Sequence, residues 1–122
     1  MKKYLVIGNP IEHSLSPKLH NYWFEKNNID ANYDRKKIDK SEIQKIISEI
    51  REDKLDGINV TVPFKSDVIP FLDTLSKESQ ITQSVNTIYK QDKKLIGHNT
   101  DIKGFELSLK ETQFNLENKN II

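Results

Sequence analysis

The fold is decided by the stretch GINVTVPFK, residues 57–65. This apolar run follows an aspartate and stops at a proline, a pattern typical of a buried β-strand. Because side chains alternate between the two faces of a strand, the aliphatic residues share one face and the polar residues share the other. The aliphatic residues are Ile58, Val60 and Val62. Asn59 and Thr61 are predicted on the opposite face of a covered sheet, where polar side chains are costly unless a partner satisfies them.

Strand and helix patterns alternate on the N-terminal side of this stretch. Short apolar runs predict strands at residues 3–7 and 31–36. Pro17 directly after Ser16 predicts the start of a helix, with Ser16 as its cap. Isoleucines at i, i+3, i+4 and i+7 predict a second helix that begins at Ser41. This order of elements indicates right-handed crossovers and a parallel sheet.

The C-terminal side adds a hairpin and a last helix. The pattern predicts a short helix at residues 64–72, strands at 84–90 and 94–98, and a helix capped by Thr100 or Asp101. The two strands are close enough in sequence to form a hairpin that joins the sheet. The expected fold is a single α/β domain with three layers, α/β/α, around a mainly parallel open sheet with an antiparallel hairpin strand.

The composition argues against several classes of function. The 122 residues carry 19 basic and 18 acidic side chains, and a net charge of +1 argues against nucleic acid or a membrane as the partner. There is no cysteine, and the three histidines lack metal-ligand spacing, so no metal site is expected. The four glycines form no dinucleotide-binding or triphosphate-binding motif. No signal peptide or transmembrane run is recognised, so a cytoplasmic protein is expected.

Two serines form the first candidate site. Ser14 and Ser16 lie two residues apart in the loop HSLSP, which leads into a predicted helix. Free amides and the helix dipole favour an anion there, and two hydroxyl groups suit a carboxylate. The alternative is that Ser16 only caps the helix and Ser14 is a loop residue.

Lys65 and Asp101 form the second candidate site. Lys65 follows the carboxyl end of a strand, where ligands bind in open α/β sheets. If Asp101 reaches Lys65 in a cleft, the two groups can titrate as a pair and exchange a proton with a substrate hydroxyl. The alternatives are that Asp101 caps a helix and that Lys65 extends into solvent, while Asn59 and Thr61 bond to neighbouring loops. Asn86, in the run VNT, is a further candidate, with an edge or turn residue as its alternative.

Four stretches taken in order resemble the shikimate dehydrogenase family: GNPIEHSLSPKLHN, DGINVTVPFK, SVNTI and GHNTDIKG. The resemblance covers roughly the first 105 residues. Enzymes of this family use NADP to reduce 3-dehydroshikimate to shikimate in aromatic amino acid biosynthesis. The resemblance implies a substrate-binding α/β domain, which a Rossmann domain for the cofactor follows in the family. The run QSVNT departs from the family's usual glycine-containing run, so Gln83 and Ser84 are expected to reshape that loop without removing Asn86.

The resemblance also implies a role for individual residues. The implied substrate-binding residues are Ser14, Ser16, Asn59, Thr61, Lys65, Asn86 and Asp101. The two serines correspond to the pair that holds the substrate carboxylate, and the asparagines and the threonine to groups that meet the ring hydroxyls and the carboxylate. Lys65 and Asp101 correspond to the catalytic pair, with the lysine as acid and base and the aspartate holding it in place.

A division of the chain follows from the same resemblance. Residues 1–101 are expected to be the shikimate-binding domain, residues 102–119 a connecting helix and turn, and residues 120–122 the start of an NADP-binding Rossmann domain. Without a cofactor site, the chain alone is expected to be inactive in hydride transfer. The alternatives are a stand-alone module that binds a shikimate-type or quinate-type ligand without catalysis, and a structural or interaction domain.

Overall fold

The computed structural model describes residues 1–111, which form six strands and four α-helices. The strands are β1 (Lys2–Gly8), β2 (Ala31–Lys37), β3 (Gly57–Val60), β4 (Thr74–Leu75), β5 (Thr87–Gln91) and β6 (Lys94–His98). The α-helices are α1 (Ser16–Lys26), α2 (Ile43–Arg51), α3 (Lys77–Thr82) and α4 (Asp101–Glu111). The strand predicted to begin at residue 120, and the end of the connecting segment before it, lie outside the described residues.

The six strands form one mixed sheet in the order β2-β1-β3-β5-β6-β4. β1 pairs in parallel with β2 and β3, and β4 pairs in parallel with β6. β5 runs antiparallel to its neighbours β3 and β6, as the predicted hairpin requires. The end of β3, the start of β5 and the end of β6 therefore meet at the same edge of the sheet.

The sheet is covered on both faces, which confirms the predicted three layers. Val6 and Ile7 are neighbours on β1, both are buried, and they belong to different hydrophobic clusters. Ile7 packs in the larger cluster, which contains the four buried isoleucines of α2. Val6 packs in the smaller cluster with Tyr33 of β2 and Phe24 of α1. The helical isoleucine pattern thus correctly predicted the main core.

β3 is shorter than the strand that the sequence predicts. β3 ends at Val60, and although the Thr61 amide still donates to the Ile7 carbonyl at 2.9 Å, the Val62 side chain is 65% exposed. The prediction that Val62 shares the buried face of Ile58 and Val60 is therefore wrong. The chain leaves the sheet at Pro63, because proline has no amide to continue the pairing.

The prediction of a helix at residues 64–72 is also wrong. Pro63 and Pro70 leave space between them for less than two helical turns, and the segment forms turns and a 3-10 helix at Ile69–Phe71. Two elements that the sequence did not predict follow it, β4 and α3. Both are short, and only one residue of α3 is buried, so neither produces a clear hydrophobic period.

Two helix starts differ from the predictions in their caps. α2 begins at Ile43 after a 3-10 turn at Lys40–Glu42, which a capping box with Asp39 precedes. At α4, the Asn99 side-chain oxygen accepts the amides of Asp101 and Ile102, at 2.9 and 3.4 Å. Asn99 is therefore the cap, and the predicted caps Thr100 and Asp101 are wrong. Within residues 1–111, no helix is both long enough and apolar enough to cross a membrane.

Candidate ligand-binding cavity

A polar cavity of about 270 Å³ opens at the edge where β3 ends and β5 begins. Its lining residues are Val6, Ser16, His20, Asn59, Val60, Thr61, Lys65, Asn86 and Asp101. A second cavity of about 270 Å³ adjoins it and shares Val6, Ser16 and Thr61. The second cavity adds Ser14 and His13. The structure therefore brings all seven residues that were predicted as a site into two adjoining cavities.

Lys65 and Asp101 form an ion pair across the rim of the cavity. The Lys65 ammonium lies 2.9 Å from the Asp101 carboxylate, and the two side chains are 34% and 55% exposed. The Lys65 carbonyl accepts the Val85 amide at 2.8 Å, which fixes the turn that carries the lysine. Asp101 is the first residue of α4, and Asn99 caps that helix. The Asp101 side chain therefore does not cap α4, and its carboxylate can hold the Lys65 ammonium.

The free energy of folding does not explain this ion pair. Exposed ion pairs typically contribute about 0–1 kcal/mol to stability, because solvent screens them and two long side chains lose freedom. The pair lines the same cavity as Ser16 and Thr61. A role in binding or proton transfer accounts for the arrangement better than a role in stability.

Asn86 is held by the start of α4 rather than by the strand that follows it. Its side-chain nitrogen donates to the Thr100 hydroxyl at 2.8 Å, and its side-chain oxygen accepts the Thr100 amide at 3.1 Å. The Thr87 hydroxyl donates to the same oxygen at 3.0 Å. An amide nitrogen carries two hydrogens, so one of them stays available to a ligand in the cavity.

The Asn59 side chain uses both of its hydrogen-bond donors within the protein. Its side-chain nitrogen donates to the Asn86 carbonyl and to the Thr87 hydroxyl, both at 3.1 Å. Its side-chain oxygen accepts the Tyr33 hydroxyl at 2.7 Å. No donor of Asn59 remains free, so this residue can meet a ligand only as an acceptor. The alternative that Asn59 bonds to neighbouring segments is thus correct for its amino group.

The hydroxyl groups of Ser14, Ser16 and Thr61 make fewer hydrogen bonds within the protein than the side chains of the two asparagines. The Ser14 oxygen accepts the Ser16 amide at 3.3 Å. Ser16 is the first residue of α1, Leu15 occupies the N-cap position, and no side chain caps this helix. The prediction that Ser16 caps α1 is therefore wrong, and Ser16 lines the cavity. The Thr61 hydroxyl has no hydrogen-bond partner in the described part of the chain.

Hydrogen bonds from both of its ends hold the loop before Asn86. Gln83 ends α3 in the left-handed conformation, with φ 54°, which glycine adopts most readily. Its amide donates to the Ser79 carbonyl at 2.8 Å, and the Ser84 carbonyl accepts the Asn99 side chain at 3.1 Å. With Gln83 and Ser84 in this loop, Asn86 lines the cavity.

Sequence reasoning missed two residues of this region, His20 and Tyr33. The His20 ring is stacked on the Tyr33 ring with centroids 4.3 Å apart and an angle of 9° between the planes. Burial lowers the pKa of His20, and burial raises the pKa of Tyr33 to about 12, although the Ser16 hydroxyl opposes the second shift. His20 was predictable, since it follows Ser16 by one helical turn on the same face. Tyr33 was not predictable from the sequence, because its contact with Asn59 depends on the strand register.

A glycine of β1 allows Thr61 to reach the cavity. A Cβ at Gly8 would lie 2.5 Å from the Thr61 methyl and 3.2 Å from the Val62 carbonyl oxygen. We expect Gly8→Ala to displace Thr61, to lower the free energy of unfolding by about 1–3 kcal/mol, and to weaken ligand binding. Urea unfolding and ligand titration measure the two effects.

Gly104 supplies the matched control, because a Cβ there meets no atom within 4 Å. Gly104→Ala is expected to stabilise α4 by about 0.5–1 kcal/mol without affecting binding. Equal stability of the two alanine variants would contradict the account of Gly8.

The arrangement suits a small ligand with an anionic group and several hydroxyl groups. The serine and threonine hydroxyls can donate to an anion, and the asparagines can accept from and donate to ligand hydroxyls. The lysine with its aspartate can exchange a proton at the other end. Among residues 1–111, no group of three or more histidine or acidic side chains could hold a metal ion.

Comparison with known proteins agrees with this geometry. Residues 6–88 match the family model described as the shikimate dehydrogenase substrate binding domain. A shikimate dehydrogenase (NADP(+)) of Pelagibacter ubique is 60% identical over 121 residues, which are 99% of this chain and 46% of that protein. The enzyme of the same name from Streptococcus thermophilus is 44% identical over 96% of this chain and 40% of its own length. The chain thus spans less than half of these relatives.

Solved structures give the same result at lower identity. Shikimate 5-dehydrogenase of Listeria monocytogenes, in complex with shikimate and NAD, is 34% identical with a TM-score of 0.89. That match covers 95% of this chain and 40% of the Listeria chain. The Thermus thermophilus enzyme in complex with shikimate is 31% identical with a TM-score of 0.89, over 98% of this chain and 46% of the other.

Proposed function

Because this chain belongs to the family of shikimate dehydrogenase substrate-binding domains, we propose that its cavity binds shikimate and 3-dehydroshikimate. The observation that carries the proposal is the placement of an ion pair, Lys65 with Asp101, and two hydroxyl groups, Ser16 and Thr61, in one cavity. Shikimate carries a carboxylate and three hydroxyl groups on one ring. Its size and polarity match a cavity of about 270 Å³ with polar groups at both ends.

We assign the carboxylate of the ligand to the serine end. Ser14 and Ser16 can each donate a hydroxyl proton to it, and the first turn of α1 adds the favourable end of a helix dipole. Thr61 lies between the two adjoining cavities and can reach either the carboxylate or a ring hydroxyl. Asn86 can donate to a second ring hydroxyl, and Asn59 can accept from a third.

Lys65 and Asp101 then act at the ligand hydroxyl that becomes a ketone. Reduction of the ketone adds a hydride to the carbon and a proton to the oxygen. Lys65 gives that proton in one direction and takes it in the other. Asp101, 2.9 Å away, holds the ammonium at the ligand oxygen.

NADP is the source of the hydride in this proposal, since the relatives are named NADP(+) enzymes. These 122 residues contain no glycine-rich dinucleotide motif, so a part of the protein outside them is proposed to bind it. Residues 1–101 are then the substrate domain, and residues 102–119, which include most of α4, connect it to the part that binds NADP. We place the enzyme in the cytoplasm.

Titration of the chain with shikimate in a calorimeter tests the binding proposal. We expect weak affinity, in the range of roughly 0.1–10 mM, because only one wall of the site is present. A Ser14→Ala, Ser16→Ala double variant should bind about 10- to 100-fold more weakly, since each hydroxyl donates to a charged group.

The matched control is a Ser41→Ala, Ser108→Ala double variant, which removes two exposed hydroxyl groups that line neither cavity. It should bind like the unaltered chain. Equal loss of affinity in both double variants would show that the serine pair does not hold the carboxylate.

A further inference from the structure

His20 is the one titratable side chain of the cavity that the proposed reaction does not use. It lines the cavity together with Ser16, Asn59 and Lys65. Within residues 1–111, its two ring nitrogens have no hydrogen bond or ion pair. No buried side-chain nitrogen or oxygen is left without a partner there, so the His20 nitrogens are accessible to solvent or to a ligand.

The His20 ring is also held in a fixed orientation. One face stacks on Tyr33 at 4.3 Å, and the Trp23 ring meets it edge-on at 6.0 Å. Tyr33 is itself fixed, because its hydroxyl donates to Asn59 at 2.7 Å. Such a ring needs little reordering when a ligand arrives, which favours its use in binding.

Burial favours the neutral form of the His20 ring. Burial lowers its pKa below the usual value near 6.5, and the positive charge of Lys65 lines the same cavity. Asp101 carries the opposite charge but is engaged with Lys65 at 2.9 Å, and Tyr33 is uncharged at neutral pH. A neutral imidazole offers one donor and one acceptor, which suits a hydroxyl group.

We propose that His20 is a further ligand-contacting residue, whose neutral imidazole makes a hydrogen bond to a ring hydroxyl of the bound ligand. Tyr33 is the positioning residue that holds the imidazole plane. This inference rests on the proposed function for the identity of the ligand, a hydroxylated ring that carries a carboxylate. It assigns a hydroxyl contact to a residue one helical turn after the serine that faces the carboxylate.

Imidazole NMR of the unaltered 122-residue chain tests the inference without a mutation. The nitrogen shifts of His20 are followed against pH, with and without saturating shikimate, and His98, which does not line the cavity, is the internal control. We expect shikimate to shift the His20 nitrogens and its tautomer ratio, to leave His98 unchanged, and to leave the pKa of His20 at or below its free value. A rise of a full pH unit would mean that His20 contacts the carboxylate, and would overturn the hydroxyl assignment.

A variant pair gives the affinity change. His20→Phe keeps an aromatic ring on Tyr33 but removes both nitrogens, and it should bind shikimate roughly 3- to 10-fold more weakly with an unchanged melting temperature. Tyr22→Phe, on the exposed side of the same helix, is the control. Unmoved His20 signals and full affinity of His20→Phe, in a chain that binds shikimate, would refute the inference alone. Absence of any binding by the unaltered chain would refute the proposed function and the inference with it.

Discussion

Replacing Lys65 by alanine is expected to lower turnover by roughly 10²- to 10⁴-fold, the range that general acid–base catalysis supplies. The variant is assayed in a protein that carries this chain together with a cofactor-binding part, by following NADPH oxidation with 3-dehydroshikimate. Affinity for shikimate should change by less than about threefold, because proton transfer is needed in the transition state rather than in the bound ground state. The lysine contacts Asp101 at 2.9 Å, so Asp101→Asn should also lower turnover, by a smaller factor.

Lys103 provides the control for charge alone. It is an exposed lysine on α4, and no ion pair to it is found in residues 1–111. Lys103→Ala should retain full turnover. Retained turnover in Lys65→Ala would remove the catalytic role of this lysine, whereas a parallel loss of affinity and turnover would make it a binding residue only.

Ile46→Ala is expected to have the largest effect on stability. Ile46 lies on α2, is 1% exposed, and packs in the larger cluster with Ile7 and Val60. Removing three carbons from a closed core costs the lost transfer free energy and the energy of the cavity left behind, together about 2–5 kcal/mol. Small domains are stable by only about 5–15 kcal/mol, so much of the native stability would be lost. Urea unfolding measures the change.

Lys45→Ala is the matched control on the exposed side of the same helix. Alanine is a good helix former, so the free energy of unfolding should change by less than about 0.5 kcal/mol. If Ile46→Ala were as harmless as Lys45→Ala, the assignment of the main core to α2 would be incorrect.

The parts of the fold that sequence predicted are those where one hydrophobic period extends over several turns or a whole strand. α2 is the clearest case, because its isoleucines at i, i+3, i+4 and i+7 are all buried. β1 was found because an apolar run there ends at glycine and proline. The helix prediction for the segment between Pro63 and Pro70 was wrong because it rested on local apolar content alone. Phe64 and Val68 are buried, but they belong to a segment of turns, and turns show no hydrophobic period in the sequence.

The candidate site was predictable to a different extent. The alternation of side chains along the strand predicted that Asn59 lies on a covered face of the sheet, and Lys65 follows the end of that strand. The family resemblance supplied Asp101 as the partner of Lys65. The hydrogen bond from Tyr33 to Asn59 was not predictable, because 26 residues separate them and the pairing register sets their contact. The role of Asn99 as the cap of α4 was missed because Thr100 and Asp101 are equally good caps by residue type.

We propose that shikimate binds at the edge of the sheet beside β3. An amide ¹H–¹⁵N NMR map of the chain, recorded with increasing shikimate to tens of millimolar, tests it most directly. We predict saturable shifts at residues 13–16, 59–65, 86 and 99–101, and none on the outer side of α2. No shifts at these concentrations, or shifts confined to another surface such as the apolar side of α1 around Leu19 and Tyr22, would contradict the account.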